Sequence, residues 1–404
     1  MNKSVLILLL LVLASALCGQ ADPDSINAPL PFMMNPFFET YSTNYLGASA
    51  LGRGNTGVSM LGDLDQVLLN PASYYPERSG MIFEIDTKPE ISAESYPNEA
   101  TLKGNSPIGI AGFGLPISEK AAVAFLYSMP RSIKMDAYSY NMYNSTYFLL
   151  RYPQYNLHQF TANLAYHGSR LHLGVSLHNQ LHMMDDVPFL RTFDRVDDLS
   201  YIPRVELGAI YSGDTGNIGA TLTLPSNADW DLKYKEYDSL LPLKIGVGTV
   251  FHEGPRNWIL DAEYEQFSAL HADFNDRLKI KAGFEFTKAN TVYRLGYQYS
   301  PAVYEGFYRI PVNTTASSDT SNVWDSVITA HPVGDCTQHL LSAGISYYHR
   351  YGSVNLGYMQ SLSKEAPFTQ LSLGLSFYWD AIIRSPKEGE DDEDFGQYSQ
   401  DRKL

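Results

Sequence analysis

Cysteine is scarce in this sequence, with only Cys18 and Cys336 in 404 residues. Basic residues are also few: 29 Lys and Arg stand against 44 Asp and Glu, and the formal net charge is -15 at pH 7. Nucleic-acid binding depends on clustered Lys and Arg, so this balance argues against a nucleic-acid partner. If Cys18 leaves with a signal peptide, Cys336 has no partner in the mature chain, and no intrachain disulfide can form.

Long hydrophobic runs are absent after the N-terminus, where no stretch approaches the roughly twenty apolar residues that a membrane-spanning helix needs. At the N-terminus, Lys3 precedes the apolar run Val5–Leu13 and three small residues at 14–16. This order is typical of a secretory signal peptide, which we place at residues 1–21. The mature chain is therefore predicted to be exported, and to be either a soluble protein or a membrane β-barrel.

The end of the signal peptide has two acceptable cleavage points, after Cys18 and after Ala21. A lipoprotein signal needs a small residue directly before the cysteine, and the sequence has Leu17 there. We therefore expect no lipid on Cys18.

Period-two alternation dominates from about residue 81 onward, which places one set of side chains on each face of a strand. Apolar residues at 278, 280, 282, 284 and 286 alternate with Lys279, Lys281, Gly283 and Glu285. The pattern predicts roughly fourteen strands between residues 81 and 384, an even number as in bacterial barrels. Their approximate starts are residues 81, 106, 120, 156, 170, 202, 217, 242, 257, 277, 290, 338, 353 and 369. The 29 tyrosines suit interfacial aromatic belts.

Connections of two kinds alternate along these strands. Tight turns are predicted at 116–120, 168–170, 212–216, 252–257, 287–290 and 350–353, and longer polar connections at 137–155, 185–201, 226–241 and 302–336. Outer-membrane barrels pair short periplasmic turns with long extracellular loops, whereas a soluble β-sandwich has no reason to follow this parity. The sequence thus predicts an all-β transmembrane antiparallel barrel in the bacterial outer membrane.

Charged side chains on the predicted strands are expected to point away from the lipid. A Lys or Arg on the lipid face costs about 2 to 4 kcal/mol at the bilayer midplane. We therefore expect one set of charged residues to face the lumen: Lys279, Lys281, Arg294, Asp261, Glu263 and Glu265. Solvation of a polar interior, or salt bridges across it, would explain them without any further role.

A glycine-rich segment precedes the first strand. It contains Gly52, Gly54 and Gly57, and closes on Asn70, Pro71 and Ala72. A phosphate-binding loop is excluded, because no GK[ST] sequence and no βαβ unit follow. An Asn-Pro pair also initiates an ordinary turn. Glycines this dense permit close backbone packing, as expected of a compact plug in a narrow lumen.

This segment resembles the hatch of the FadL/TodX family of outer-membrane transporters, and Asn70, Pro71 and Ala72 match its motif residue for residue. The tracts 223–226, 241–246, 260–264, 293–299 and 339–347 resemble strands of that family. The resemblance implies a hatch at residues 22–80, with Gly52, Gly54 and Gly57 in its gating motif. It also implies passive transport of long-chain fatty acids or other hydrophobic small molecules.

A fatty-acid substrate implies that Lys or Arg binds the carboxylate. The candidates are Arg53, Lys244, Lys279, Lys281 and Arg294, and the sequence does not select among them. The expected partners are this ligand and outer-membrane lipid. We expect no cofactor and no enzymatic activity, because no Ser and His constellation is recognisable in the sequence.

Two groups of metal-binding residue types do not predict a metal site. His172, His178 and His182 share a strand face but would span roughly 33 Å at about 3.3 Å per residue. The group Asp335, Cys336 and His339 lacks a second ligand pair.

The tail at 385–404 contains an acidic block at 388–394 and is predicted to be solvated, disordered and periplasmic. Such a tail could bind a periplasmic protein. Two alternatives to the transporter therefore stay open: a PorV-like shuttle or accessory barrel of a protein secretion system, and a nonselective porin.

Overall fold

The computed structural model describes most of the mature chain: residues 42–75, 79–95, 98–104, 108–141, 146–151, 154–188, 195–232, 235–269, 274–303, 307–311, 328–332, 337–363 and 368–379. The predicted signal peptide and acidic tail, the early part of the predicted hatch, and the group at 335–336 lie outside these residues.

The described residues contain twenty-one strands, one α-helix and two 3-10 turns. In chain order the strands are β1 Gly80–Thr87, β2 Ile91–Ser95, β3 Asn98–Lys103, β4 Ile108–Ser118, β5 Ala121–Asn141, β6 Thr146–Arg151, β7 Gln154–His167, β8 Leu171–Pro188, β9 Arg195–Ser212, β10 Gly216–Thr223, β11 Ser226–Leu232, β12 Lys235–Leu241, β13 Lys244–Glu253, β14 Arg256–Glu265, β15 Arg277–Lys288, β16 Thr291–Ser300, β17 Phe307–Pro311, β18 Ile328–Pro332, β19 Gln338–His349, β20 Gly352–Ser361 and β21 Thr369–Tyr378. The helix α1 is Ala48–Gly52, and the 3-10 turns are Leu64–Leu68 and Phe267–Ala269.

Fourteen of these strands close an antiparallel barrel. Their order around the wall is β1, β4, β5, β7, β8, β9, β10, β13, β14, β15, β16, β19, β20 and β21. Pairing between β1 and β21, from Gly80 opposite Tyr378 to Thr87 opposite Leu371, completes the ring. Closure satisfies the backbone groups that an open sheet edge would leave unpaired in lipid. The predicted barrel of about fourteen strands is confirmed.

Side-chain alternation along the strands gives the wall two different faces. On β15, Leu278 and Ile280 are exposed, whereas Lys281 and Glu285 are buried toward the lumen. Similar exposed apolar residues recur on the other strands and form an outward apolar surface, while the inward positions are rich in polar residues. This is the pattern of a barrel that contacts lipid outside and a polar lumen inside.

Connections at the two ends of the barrel differ in length, as the parity of the sequence predicts. The tight turns join β4 to β5, β7 to β8, β9 to β10, β13 to β14, β15 to β16 and β19 to β20. Short turns of this kind mark the periplasmic end, where β1 also begins and β21 ends.

The long connections contain further strands, so their interpretation from the sequence as polar loops was wrong. Strand β5 extends to Asn141, β8 extends to Pro188, and the hairpins β11–β12 and β17–β18 lie within the other two connections. A further hairpin, β2–β3, lies between β1 and β4. Above the membrane both faces of a strand meet water, so period-two alternation fades although the backbone still pairs.

Residues 42–75, here called the inner segment, lie inside the barrel. The helix α1 packs on β19, β20 and β21, and the 3-10 turn Leu64–Leu68 packs on β1 and β4. None of the helices among the described residues is long and apolar enough to span a membrane.

Candidate functional site: the packed lumen

Glycines on the wall allow the backbone of the inner segment to lie directly against the strands. A methyl group on any of eight wall glycines would come closer than 3.0 Å to an atom of the inner segment. These glycines are Gly114, Gly174, Gly208, Gly219, Gly283, Gly296, Gly344 and Gly357, one on each of eight strands. Three pairs stand opposite each other in register: 174 with 208, 283 with 296, and 344 with 357. We call these eight residues the glycine belt.

Two of the three predicted hatch glycines, Gly52 and Gly54, meet this belt from the other side, whereas Gly57 packs on Arg53, Gln66 and Leu69 of the inner segment. Gly52 packs on the backbone of Gly344, and Gly54 packs on Gly296 and on the backbone of Tyr297. Gly54 has φ +77°, a conformation that L side chains rarely adopt. A Cβ on Gly54 would also lie 2.7 Å from the nitrogen of Tyr297, so both space and conformation require glycine there.

Two wall carboxylates hold the inner segment from nearly opposite strands. Glu84 on β1 accepts hydrogen bonds from the backbone N–H groups of Gly47 (2.9 Å) and Ala48 (2.5 Å), at the start of α1. Asp261 on β14 accepts from the N–H groups of Gly57 (2.6 Å) and Val58 (3.1 Å). The backbone of the inner segment is therefore fastened to the wall at two separate points.

Arg53 organises the interior of the segment. Its Nε donates to the carbonyl oxygen of Thr56 at 2.8 Å, one terminal nitrogen donates to Gln66, and the other forms an ion pair with Glu285 at 3.5 Å. Burial lowers the pKa of Arg53, and Glu285 opposes that shift. Burial also raises the pKa of Asp65, which accepts a hydrogen bond from Ser49 at 2.5 Å. Arg53 therefore links two parts of the inner segment to each other and to Glu285 on the wall.

The Asn70, Pro71 and Ala72 motif joins two parts of the inner segment to each other and to the wall. The Asn70 amide donates to the carbonyl oxygen of Val58 at 2.6 Å, and its oxygen accepts from the N–H of Ala72 at 2.9 Å. Asn163 on β7 donates to the carbonyl oxygen of Pro71 at 3.0 Å. Asn70 is fully buried. The motif thus closes a turn and fixes it to the wall at the same time.

Replacing Asn70 by Ala is expected to loosen the inner segment, because it leaves the Val58 carbonyl and the Ala72 N–H without partners. Leaving a buried partner unsatisfied costs about 1 to 3 kcal/mol. Hydrogen exchange at Ala72 should accelerate accordingly. Asn70→Asp keeps the acceptor for the Ala72 N–H but loses the donor to the Val58 carbonyl. Exchange at Ala72 should therefore be faster in Asn70→Asp than in wild type, and slower than in Asn70→Ala. Equal protection of Ala72 in wild type and Asn70→Ala would contradict this assignment.

Each cation that was predicted to bind a substrate carboxylate forms an ion pair with a carboxylate of the protein. Lys244 pairs with Glu265 at 2.7 Å and Lys281 pairs with Glu263 at 2.9 Å. Lys279 pairs with both, at 3.0 Å and 2.9 Å. Arg294 pairs with Glu285 at 2.7 Å, as Arg53 does at longer distance. All five lie in the lumen or in the inner segment, but as members of ion-pair networks.

Two further cations, Arg131 and Arg204, lie higher in the lumen, on the long strands β5 and β9. Arg204 donates from Nη2 to the carbonyl oxygens of Pro242 at 2.7 Å and Leu224 at 3.4 Å. Its Nε is buried and has no hydrogen-bond partner among the described residues. Arg131 and Arg204 both lie close enough to His182 to act on it electrostatically. We call Arg131 and Arg204, together with the neighbouring His182, the cation cluster.

Apolar side chains surround the cation cluster. Along the wall, Arg131 stands opposite Leu157, which stands opposite His182, and the next row joins Ile133, Tyr155 and Met184. These four neighbours and Ile202 are buried. The nearby carboxylates have other partners: Glu206 binds His178 at 2.9 Å, and Glu265 binds Arg277 at 2.6 Å. A guanidinium with a spare donor therefore lies beside apolar surface. The sequence analysis did not single out Arg204, because strand alternation does not show which lumenal Lys or Arg forms an ion pair and which keeps a donor free.

The three histidines of β8 all face the lumen and each has its own partner on the wall. His172 contacts His167, His178 contacts Thr161, and His182 contacts Tyr155. Among the described residues, no group of three or more His, Cys, Asp or Glu side chains is arranged to hold a metal ion.

A fourteen-stranded antiparallel barrel with a lipid-facing apolar surface and a segment of its own chain packed in the lumen defines a transmembrane barrel of the bacterial outer-membrane type. Its fold is that of the TodX channels. The toluene transporter TodX of Pseudomonas putida superimposes with a TM-score of 0.58 at 13% identity, covering 84% of this chain and 99% of TodX. A second structure of this transporter gives a TM-score of 0.56 at 12% identity, covering 82% and 97%.

A TodX monoaromatic hydrocarbon channel with the deltaS2 mutation gives a TM-score of 0.57 at 12% identity, covering 84% and 99% of the two chains. By sequence, neither a family model nor a curated protein matches. The expectation of a FadL/TodX-like fold is confirmed at the level of the fold.

Proposed function

We propose that this protein is a passive outer-membrane transporter for long-chain fatty acids or other hydrophobic small molecules, in which the inner segment is the hatch. The observation that carries the proposal is the packing of residues 42–75 inside a closed barrel, fastened by Glu84, Asp261 and the glycine belt. An open aqueous porin would not need such a segment. The TodX structures, described as hydrocarbon channels, support the same class of cargo.

The physical reason for a closed lumen lies in the cargo. Each buried methylene contributes about 0.8 kcal/mol, so a long acyl chain loses on the order of 10 kcal/mol in a water-filled pore. A route for such a molecule needs apolar contacts and exclusion of water. The inner segment excludes water, and the buried apolar residues around the cation cluster offer the contacts.

Fatty-acid transport is tested first by equilibrium binding to the purified barrel in detergent micelles. A fluorescent long-chain fatty acid should bind saturably, and transfer of the same acid into liposomes that contain the barrel should change in Asn70→Ala. Protein-free liposomes correct for unaided crossing of the bilayer. Absence of binding by a folded barrel would remove the transport proposal and leave the architecture.

We further propose that the cation cluster binds the carboxylate, with Arg204 as the principal donor. Arg204→Gln should weaken binding of a sixteen-carbon fatty acid by roughly 10- to 100-fold, because a hydrogen bond to a charged group contributes about 1.5 to 3 kcal/mol. Binding of the alcohol of equal chain length, which has no charge, should change little. Equal losses for the acid and the alcohol would show that the substitution acts through the fold.

A further inference from the structure

Three side chains at the periplasmic end of the lumen form a hydrogen-bonded chain that ends on the inner segment. Ser212 Oγ lies 3.2 Å from Nε2 of His172, and Nδ1 of His172 lies 2.8 Å from Nδ1 of His167. Nε2 of His167 lies 2.7 Å from the carbonyl oxygen of Tyr74 in the inner segment. Ser212, His172 and His167 are all buried.

The carbonyl oxygen of Tyr74 fixes the direction of this chain. A carbonyl can only accept, so neutral His167 donates from Nε2 and accepts at Nδ1. His172 must then donate from Nδ1, which leaves its Nε2 as an acceptor, and the Ser212 hydroxyl donates to it. A serine hydroxyl bonded to an imidazole nitrogen, with the imidazole oriented by a third group, is the arrangement of an activated nucleophile.

An amide donor stands beside the serine. Asn217 on β10 lies directly opposite Ser212 on β9, and both residues are 5% exposed on the inward face. The N–H of Ser212 is directed away, to the carbonyl oxygen of Arg170 at 2.8 Å. The two residues therefore form the non-hydrogen-bonded kind of pair, with Cβ atoms roughly 4.5 to 5.5 Å apart. An amide N–H at this distance from a nucleophile can stabilise the oxyanion of an acyl-transfer reaction.

We propose that Ser212 is the nucleophile of an ester-cleaving site that acts on carboxylic esters of apolar acyl groups. His172 takes the hydroxyl proton as Oγ bonds to the ester carbonyl carbon, and the Asn217 amide donates to the carbonyl oxygen. The ester C–O bond then breaks, the proton passes from His172 to the leaving oxygen, and an alcohol departs. Water, deprotonated by His172, next attacks the acyl-serine and releases the carboxylic acid and free Ser212.

The apolar acyl group is favoured by the surroundings of the site. The Tyr75 ring lies with its centroid 4.9 Å from that of His167 and 6.4 Å from that of His172, which places an aromatic ring beside the base. His167 does not reach the reacting atoms and acts as a positioning residue that holds His172 in the required tautomer. No sequence motif announces this site, because pairing of β7, β8, β9 and β10 alone brings the four side chains together.

The site is tested with the full-length barrel in detergent micelles. A fluorophosphonate probe should label Ser212, as mapped by peptide mass spectrometry, and the barrel should hydrolyse p-nitrophenyl octanoate. Ser212→Ala and His172→Gln should each lower the rate by at least about 100-fold. Ser128→Ala is the matched control, since Ser128 is a buried lumenal serine whose Oγ has no hydrogen-bond partner in the described part of the chain.

The His167→Gln variant tests whether His167 positions His172 or only packs against it. It should lower kcat by roughly tenfold or more with little change in KM, and it should shift the pH profile, because the tautomer of His172 is no longer held. A folded barrel that shows no label on Ser212, or that hydrolyses the ester equally well as Ser212→Ala, would overturn the proposal. Fatty-acid binding by the same preparation reports on transport separately, so the two proposals can fail independently.

Discussion

A barrel that lacks residues 22–72 is expected to conduct ions at least about tenfold better than the intact protein in planar bilayers. The intact lumen contains the inner segment, whose backbone lies on the glycine belt and is held by Glu84 and Asp261. Removal of this segment leaves a lumen lined with polar and charged side chains. Such a lumen fills with water and conducts.

Single-channel recording of both proteins checks this prediction. Heat-modifiable migration on gels shows that each barrel is folded, and equal insertion into the bilayer makes the currents comparable. Steady high conductance of the intact protein would contradict the hatch and favour the porin alternative. Conductance that stays low after truncation would show that other residues also close the lumen.

Gly296→Ala is expected to displace the inner segment while the barrel itself stays folded. A methyl group at this position would overlap the backbone of Arg53 and Gly54, which cannot move without leaving the wall. Overpacking of this kind typically costs about 1 to 3 kcal/mol. Because the strain falls on the contact between wall and segment, hydrogen exchange within residues 48–58 should accelerate by roughly 5- to 150-fold.

Gly80→Ala is the matched control for this change. Gly80 is also a buried wall glycine, but a Cβ there would meet no other atom closer than 3.5 Å. Exchange in the inner segment should therefore match wild type in Gly80→Ala. If the two variants behave alike, the glycine belt does not seat the segment, and its glycines serve the wall alone.

Strand positions could be read from the sequence because lipid imposes a strict pattern on a barrel. The predicted start at residue 277 coincides with that of β15, and the start at 171 for β8 lies one residue from the predicted 170. Tight turns were equally readable, since a short antiparallel turn interrupts the alternation abruptly. The hairpins of the long connections were not readable, because water on both faces removes the pattern.

The sequence predicts which side chains face the lumen, but not which partners they have there. The sequence places Lys279, Lys281 and Arg294 inward, since each would be costly in lipid. Whether such a cation binds a ligand depends on which carboxylate lies opposite it, and that is a property of strand register. Register places Glu263 opposite Lys279 and diagonal to Lys281, both of which pair with it, and leaves Arg204 with a spare donor.

The sequence by itself determined that this chain is a transmembrane barrel of about fourteen strands with a glycine-rich segment before the first strand. It could do so because alternation, turn length and charge placement are local properties that the bilayer constrains. Only the tertiary structure decided that Gly52 meets Gly344, that Asp261 holds Gly57, and that Ser212 reaches His172. These contacts join residues far apart in the chain, and strand pairing together with packing inside the closed barrel brings them within reach.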